Sequence, residues 1–505
     1  MNDLRFNVRI ATRERLLVSI DDFVVTPGRT AFLFGESGIG KSLIARAIYG
    51  LLDPEEFSVT INGEPYETYL ARPETKLIKE TSFYVFQEPS SHLNPLLPLE
   101  TQISEGSLSD KIGAQDLLTH LWEGTDEEGI QKLLEVYPKP YRPSGGEKQR
   151  VFLVMALKKM DILLRSRMPD ARTLFVFDEP TGSLDNHLRD VFLSLLFERV
   201  RHHNLTILLI THDYSMVSEV TRAYPDLLDR IAFKEISLQL SGLMLSEFAP
   251  STYLKWLDEQ QTSDRAAVPR GTKPLLRVES GAEVFGSRLT ISKDPHGNEA
   301  CPLEIVPGTL VYLKAPSGTG KTTIVKMLMG LVNGRDLKFE LGGLTVTERT
   351  PRRFWQRRIW GKKMTMVFQH ADEALNPQST VEETFRGLPL KKAMTRDDVR
   401  HTLHQIFDIE ISDEFLAKPV STLSGGQKQR INLMRGLVLE TDILILDEPL
   451  NGLDFESTTR VLAMLREKQQ SGKGILLISH NEEIFDTLVS KECIYYLTAK
   501  PVNPD

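Results

Sequence analysis

Cysteine is almost missing from this 505-residue chain. Cys301 and Cys493 are the only two, too few for a disulfide framework, a four-cysteine zinc site or an iron–sulfur cluster held by this chain alone. A reducing cytosol is the expected home. No stretch approaches the ~18 consecutive apolar residues of a membrane span, and the N-terminal MNDLRFNVRIATRER has no apolar signal core. Any membrane contact is therefore expected through a partner. Positive charge is not in excess either. The net charge is -8, which leaves no global field to attract nucleic acid, and no nucleic-acid partner is expected. The densest basic cluster, Arg352, Arg353, Arg357, Arg358, Lys362 and Lys363, reads as a solvated helix face and receives no role.

What is present is repetition. The chain is too long for one hydrophobic core, and one set of words occurs twice in the same order. GESGIGKS at 35–42 returns as APSGTGKT at 315–322, VFQEPSSHLNP at 85–95 as VFQHADEALNP at 367–377, and SGGEKQR at 144–150 as SGGQKQR at 424–430. Lys41 and Lys321 lie 280 residues apart, Ser144 and Ser424 also 280, but Glu179 and Glu448 only 269. A whole domain is duplicated, and the first copy carries extra residues around 163–172, expected as a surface loop. The expected domains are 1–250 and 276–505, joined by a linker at 251–275. In each half, short apolar runs (30–34, 174–177 and 206–210 in the first) alternate with helical patterns and end at a motif. An α/β fold with a mostly parallel sheet core follows, its functional groups at the carboxyl ends of strands.

The chemistry of the motifs is phosphate chemistry. A glycine-rich turn between strand and helix aims backbone N–H groups at phosphate oxygens, helped by the helix N-terminus. Gly35, Ser37, Gly38 and Gly40 form that turn, with Lys41 reaching the β and γ phosphates and the Ser42 hydroxyl facing Mg²⁺. The second copy supplies Ser317, Gly318, Gly320, Lys321, Thr322 and Thr323. It begins with Ala315 in place of glycine, so the backbone there must tolerate a Cβ. Asp178 and Asp447 end the apolar runs LFVF and ILIL and are expected to position the metal. Glu179 and Glu448 follow as candidate general bases for an attacking water. His212 and His480, each closing a further apolar strand about thirty residues on, are expected to contact the γ phosphate.

Together with the two serine-glycine-glycine runs, these motifs resemble the ABC (ATP-binding cassette) ATPases over nearly the whole chain. Leu423 to Gln427 reproduces the family's LSGGQ signature; the first copy has Pro143 and Glu147 where leucine and glutamine are usual. The resemblance implies two P-loop nucleotide-binding domains, each with a parallel core, an antiparallel β part and a helical subdomain, and an ATP hydrolase using ATP and Mg²⁺. It implies that the signature of one cassette (Ser144, Gly145, Gly146, or Ser424, Gly425, Gly426 with Gln427) closes on the ATP held by the other, so that one chain forms an intramolecular pair. Gln87 and Gln369 resemble the glutamines that contact Mg²⁺ beside Ser42, Asp178, Thr322 and Asp447. Asp185 and Asp454 fit the loop passing between the sites. The aromatic residue that stacks on adenine about twenty residues before the P-loop is missing at the counted positions, which are Thr12 and Ser292. Because Pro143, Glu147 and Ala315 all fall on one composite site, the two sites are expected to be unequal.

The Leu-Asn-Pro after each glutamine resembles the peptide and nickel importer ATPases. This implies integral membrane permease subunits as partners and a cytoplasmic chain held at the inner face of the membrane. The alternative is a soluble ATPase serving a cytosolic enzyme complex, like the tandem-ABC component of the methyl-coenzyme M reductase activating system. Other soluble classes do not fit. A spacing of 103 from Lys41 to Ser144 and from Lys321 to Ser424 leaves no room for a long coiled coil. Two cysteines exclude the zinc and iron–sulfur types, and the expected linker is too short for the charged helical connector of translation factors.

Overall fold

A computed structural model describes residues 3–105, 108, 114–136, 144–165, 173–182, 184–239, 242–262, 271–297, 299–316, 318–407 and 409–502. Ser317 and Pro143 lie outside these residues. The chain divides into two compact units, Met1–Leu254 and Lys255–Asp505.

In the first unit the strands Thr30–Gly35, Phe175–Asp178 and Ile207–Ile210 are buried at every residue. Unbroken apolar runs need cover on both faces, the condition of a parallel sheet wrapped by helices. They pair accordingly, in the order Ile231–Gln239, Thr30–Gly35, Ile207–Ile210, Phe175–Asp178, Tyr84–Val85, with every pair parallel. The second unit repeats that order with Ile494–Pro501, Leu310–Lys314, Gly474–Ile478, Ile443–Asp447 and Met364–Val367. Strand Leu4–Ala11 instead alternates buried and exposed residues, the pattern of a sheet with one wet face, and it pairs antiparallel with Leu16–Val25 and Ser58–Ile61.

The antiparallel parts differ between the units. In the first they join the parallel core in one ten-stranded sheet among the described residues, through the single pairing of Leu243 with Ile20. In the second, Leu303–Ile305, Leu276–Val278, Lys338–Leu341 and Leu344–Thr347 form a separate four-stranded sheet. Only the hairpin Gly281–Val284 and Ser287–Ser292 stays with the core, on the edge of Ile494–Pro501. Short helices lie between each glutamine and its signature, Leu99–Ser104, Gln115–Leu121 and Glu127–Leu134 in the first unit, Arg396–His404 and Asp413–Ala417 in the second.

Two expectations from sequence are corrected. The stretch 251–275 begins as the helix Pro250–Thr262, with Tyr253 and Leu257 buried, not as a linker; residues 263–270 lie outside the described ones. Counting turn formers and charges missed its apolar positions. The expected loop at 163–172 also starts late. Helix Gly145–Arg165 runs through Arg165 with Leu163 buried, and 166–172 lie outside the described residues.

Candidate functional site

Each P-loop bridges a parallel strand and a helix. Gly38 and Gly40 in the first, Gly318 and Gly320 in the second, all have positive φ between 79° and 111°, the left-handed conformation glycine adopts without a Cβ penalty. The helices Lys41–Tyr49 and Lys321–Leu328 begin at the lysines, so their first N–H groups point toward the loop. Both lysines are buried; Lys41 Nζ donates to the carbonyls of Gly35 and Glu36, and Lys321 Nζ to that of Ala315 at 2.6 Å. A carbonyl makes that contact, so a Cβ at 315 does not interrupt it. At Gly35 the situation differs. Its φ is 140°, it pairs with Ile236, and a Cβ there would stand 2.5 Å from the Ile236 carbonyl oxygen. Ser37, Thr322 and Thr323 are half-buried beside their lysines.

At the ends of Phe175–Asp178 and Ile443–Asp447 the carboxylates are buried. Asp178 accepts from the Ser42 hydroxyl at 2.8 Å and from the Tyr84 hydroxyl at 3.0 Å. Burial pushes its carboxyl up and those two donors oppose the rise. Neither oxygen of Asp447 has a hydrogen-bond partner among the described residues. Its carboxyl is also raised, by burial, against the influence of the Thr322 hydroxyl and the lysines Lys326 and Lys321. Two buried carboxylate oxygens without a donor are suited to a cation. An all-oxygen set of Asp447 and the Thr322 hydroxyl fits a hard divalent ion such as Mg²⁺, which takes one or two carboxylates and completes its shell with phosphate and water. Gln87 is exposed and Gln369 half-buried, each just beyond its strand.

The next residue turns sharply in both units. Glu179 and Glu448 have φ of 50° and 51°, a conformation that costs a non-glycine residue about 1–3 kcal/mol. Their N–H groups still donate across the sheet, to the carbonyls of Ile210 at 3.0 Å and Ile478 at 2.9 Å. The turn sends each side chain over the neighbouring strand end, toward its histidine. There the units part. Glu179 Oε2 lies 2.7 Å from His212 Nδ1. Burial raises the Glu179 carboxyl, but the His212 charge and hydrogen bond outweigh it and hold it below its ordinary value. Burial lowers the His212 imidazole and Glu179 overcomes that, pushing it up to about 9. Glu448 instead accepts from the Ser479 hydroxyl at 3.0 Å and the His480 N–H at 3.1 Å, with His480 Nε2 3.4 Å from its other oxygen. Burial pushes Glu448 up to about 7 despite both donors, the range in which a general base works near neutral pH. Tyr312 helps set this arrangement, its hydroxyl donating to the Ser479 carbonyl at 2.8 Å.

Both signature serines begin helices. Ser424 Oγ accepts from the Gln427 N–H at 3.2 Å and Gln427 Oε1 from the Ser424 N–H at 3.1 Å, a reciprocal cap. Ser144 and Glu147 make the same pair at 3.3 and 2.7 Å. The Glu147 carboxylate is thus occupied by a backbone N–H and does the structural work of the usual glutamine. Gly145 and Gly425 are exposed, and Gly146 is half-buried where Gly426 is buried. Asp185 and Asp454 cap the helices Asn186–His202 and Phe455–Gln470.

Sequence counting missed an aromatic residue. Strand residue Val18 would be 2.6 Å from a Cβ on Gly40, and Leu289 is 3.3 Å from one on Gly320, so these two are structural equivalents. Four residues before Leu289 stands Phe285, 83% exposed, with φ of 51° in the turn of the hairpin. Four before Val18 is Glu14. Ser292, the counted position, is buried and donates to the Asp294 carbonyl. Residues 293–302 lengthen the connection to the next strand and shifted the count.

The Glu179–His212 pair makes a pH prediction for the metal- and nucleotide-free chain. A histidine raised in the folded state stabilises fully below its unfolded pKa of about 6.5 and loses that contribution as pH rises through about 9. Calorimetric melting of the chain and of His212→Gln should therefore show a stability difference at pH 6.5 that shrinks by pH 9.5. A pH-independent difference would contradict the ion pair.

The sequence pattern of the family described as ABC transporter matches residues 19–182 and 299–451. Among curated proteins, the uncharacterized ABC transporter ATP-binding protein YejF of Escherichia coli (strain K12) is 28% identical over 94% of this chain and 89% of that protein. The glutathione import ATP-binding protein GsiA of Shigella dysenteriae is 24% identical over 94% of this chain and 81% of that protein. A solved structure of RNase-L Inhibitor covers 97% of this chain and 89% of its own length, with a TM-score of 0.64 and 19% identity, a likeness of fold alone. With the same motif geometry built twice, on two parallel cores of one strand order, the chain belongs to the ABC transporter family and is an ATP-hydrolysing ABC ATPase with two cassettes in tandem.

Proposed function

We propose that this ATPase powers a membrane permease for a small solute, peptide-like or a metal chelate, with Mg²⁺ bound beside Ser42, Asp178 and Gln87 in one cassette and Thr322, Asp447 and Gln369 in the other. Glu179 and Glu448 are the general bases, and His212 and His480 orient the γ phosphate and the attacking water. The orphaned oxygens of Asp447 and the position of both glutamates over the strand ends support these roles. Replacing Glu179 and Glu448 together by glutamine removes the base and keeps the shape. Turnover should fall by about 10² or more with ATP retained on the protein; undiminished hydrolysis would reject the assignment.

Adenine at the second P-loop is proposed to stack on Phe285, the exposed ring on the hairpin whose next strand carries Leu289 against Gly320. Stacking of a base on an aromatic side chain contributes about 1–3 kcal/mol. Phe285→Ala should weaken ATP binding at one of the two sites about tenfold or more while GTP and ATP become less distinguishable; equilibrium dialysis with each nucleotide checks this, and an unchanged isotherm would remove Phe285 from the site.

The observation that carries the permease reading is the turn after Gln87. The Leu93 side chain is buried as an anchor, the Asn94 carboxamide oxygen accepts from the Leu96 N–H at 2.9 Å, and the resulting turn presents Leu96 with 79% of its surface exposed. A leucine exposed to that degree just beyond the glutamine is the apolar contact that the proposed permease would cover. In the second cassette the Leu375 and Asn376 turn is built alike, with Asn376 accepting from the Gln378 N–H at 3.1 Å. The names of relatives such as GsiA, a glutathione import protein, agree with the reading. None of the helices among the described residues is long and apolar enough to cross a membrane, so the proposal requires a separate permease. The proposed docking surfaces are roughly 95–141 and 377–419, of which 106–107, 109–113, 137–141 and 408 lie outside the described residues. In cells, Leu96→Asp should abolish solute uptake with ATP binding intact. If instead the chain copurifies with a cytosolic enzyme complex and its deletion changes no uptake, the soluble-activator alternative replaces the transport reading.

A further inference from the structure

The two carboxylates that end the central strands are held differently, and one residue makes the difference. Tyr84 pairs with Val176, two residues before Asp178. Met366 pairs with Ile445, two residues before Asp447. The two positions are therefore equivalent, but only Tyr84 carries a donor, and its hydroxyl gives a 3.0 Å hydrogen bond to Asp178 Oδ2 while Ser42 holds Oδ1 at 2.8 Å. Methionine offers no hydrogen to Asp447, neither of whose oxygens has a hydrogen-bond partner among the described residues, with the Thr322 hydroxyl standing nearby.

The Tyr84 ring is fixed from several sides. It is 4% exposed, meets Tyr49 edge-on with centroids 5.5 Å apart, and leans on Phe86 at 4.7 Å. Those contacts belong to the ring and would survive loss of the hydroxyl. The hydroxyl donates to the second oxygen of a wholly buried carboxylate and also has the Arg46 guanidinium beside it. With both oxygens held, Asp178 meets a cation without first being turned. Asp447 has the Thr322 hydroxyl beside it but no counterpart of Tyr84. Positioning by a supporting hydrogen bond typically changes metal affinity by about 10–100-fold.

We propose that Tyr84 is a positioning residue for the Mg²⁺ site of the first cassette, acting through Asp178, and that the second cassette lacks this support. The inference rests on the assignment of Asp178 and Ser42 to the metal. It gives the two sites different metal dependence for a reason unrelated to Glu147, whose carboxylate is engaged in its own helix cap.

The test uses the full chain in a Lys321→Ala background, so that the first P-loop is the one observed, with Mn²⁺ and ADP as probes. Electron paramagnetic resonance of free Mn²⁺ gives its affinity in the presence of saturating ADP, and a fluorescent ADP analogue in EDTA gives metal-free binding. Tyr84→Phe, which keeps the ring, should weaken Mn²⁺ about tenfold and leave metal-free ADP binding unchanged within twofold. Tyr84→Met, which installs the residue of the second cassette, should do the same. Unchanged Mn²⁺ affinity in Tyr84→Phe overturns the proposal. So does an equal loss of metal-free binding, since that would mark Tyr84 as purely structural. If the parent chain shows no ADP-dependent Mn²⁺ binding, the metal assignment fails and the proposal with it.

Discussion

A carboxylate at the end of a buried strand is the constraint on which both cassettes depend. Asp178 and Asp447 sit where strands covered on both faces run out, and a charge there has no water to fall back on. Everything around them answers that cost. The hydroxyls of Ser42 and Thr322 arrive from the helices behind the P-loops, and the strand order puts the glutamine-bearing strand on one side and the histidine-bearing strand on the other. The same burial that makes the site expensive without a cation makes electrostatic contacts within it strong.

The turn that follows carries the glutamates proposed as general bases. A left-handed glutamate is strained, but the cross-sheet hydrogen bond of its N–H fixes the backbone, and the side chain is delivered over the adjacent strand end. From there the units settle differently. Glu179 is in an ion pair with His212, whereas Glu448 is shared between a hydroxyl and an N–H and sits near pH 7. Tyr312 and Ser479 build the second arrangement; at the matching places the first unit has Phe32 and Thr211, and Phe32 has no hydroxyl to offer. The units thus differ around their glutamates as well as in their signatures.

The core and the glycine turns between strand and helix are legible because both leave one-dimensional traces. A parallel strand buried on two faces must be an apolar run, and a phosphate loop must have glycines at fixed spacing before a lysine. What stayed hidden depends on distance across the fold. Tyr84 reads as an ordinary strand residue until its hydroxyl is found at Asp178. Phe285, proposed to stack on adenine, is out of register along the chain because residues 293–302 lengthen the connection after its hairpin. Glu147 departs from the usual glutamine in sequence, yet its carboxylate has the reach of glutamine and caps the corresponding helix. The helix Pro250–Thr262 was read as linker because its polar residues outnumber Tyr253, Trp256 and Leu257, which carry its packing.

Two copies of one domain in a single chain invite recombination between their coding halves, and the first residues of the P-loops show that such an exchange would not be symmetric. The strand before the first loop keeps pairing up to Gly35 and Ile236, leaving no space for a methyl group, whereas the strand before the second stops pairing at Lys314 and Tyr496. A loop beginning with glycine could be copied into the second half at little cost. The reverse transfer would bring alanine against a carbonyl of the neighbouring strand. Glycine and alanine are therefore not interchangeable between the two loops: the constraint runs in one direction only.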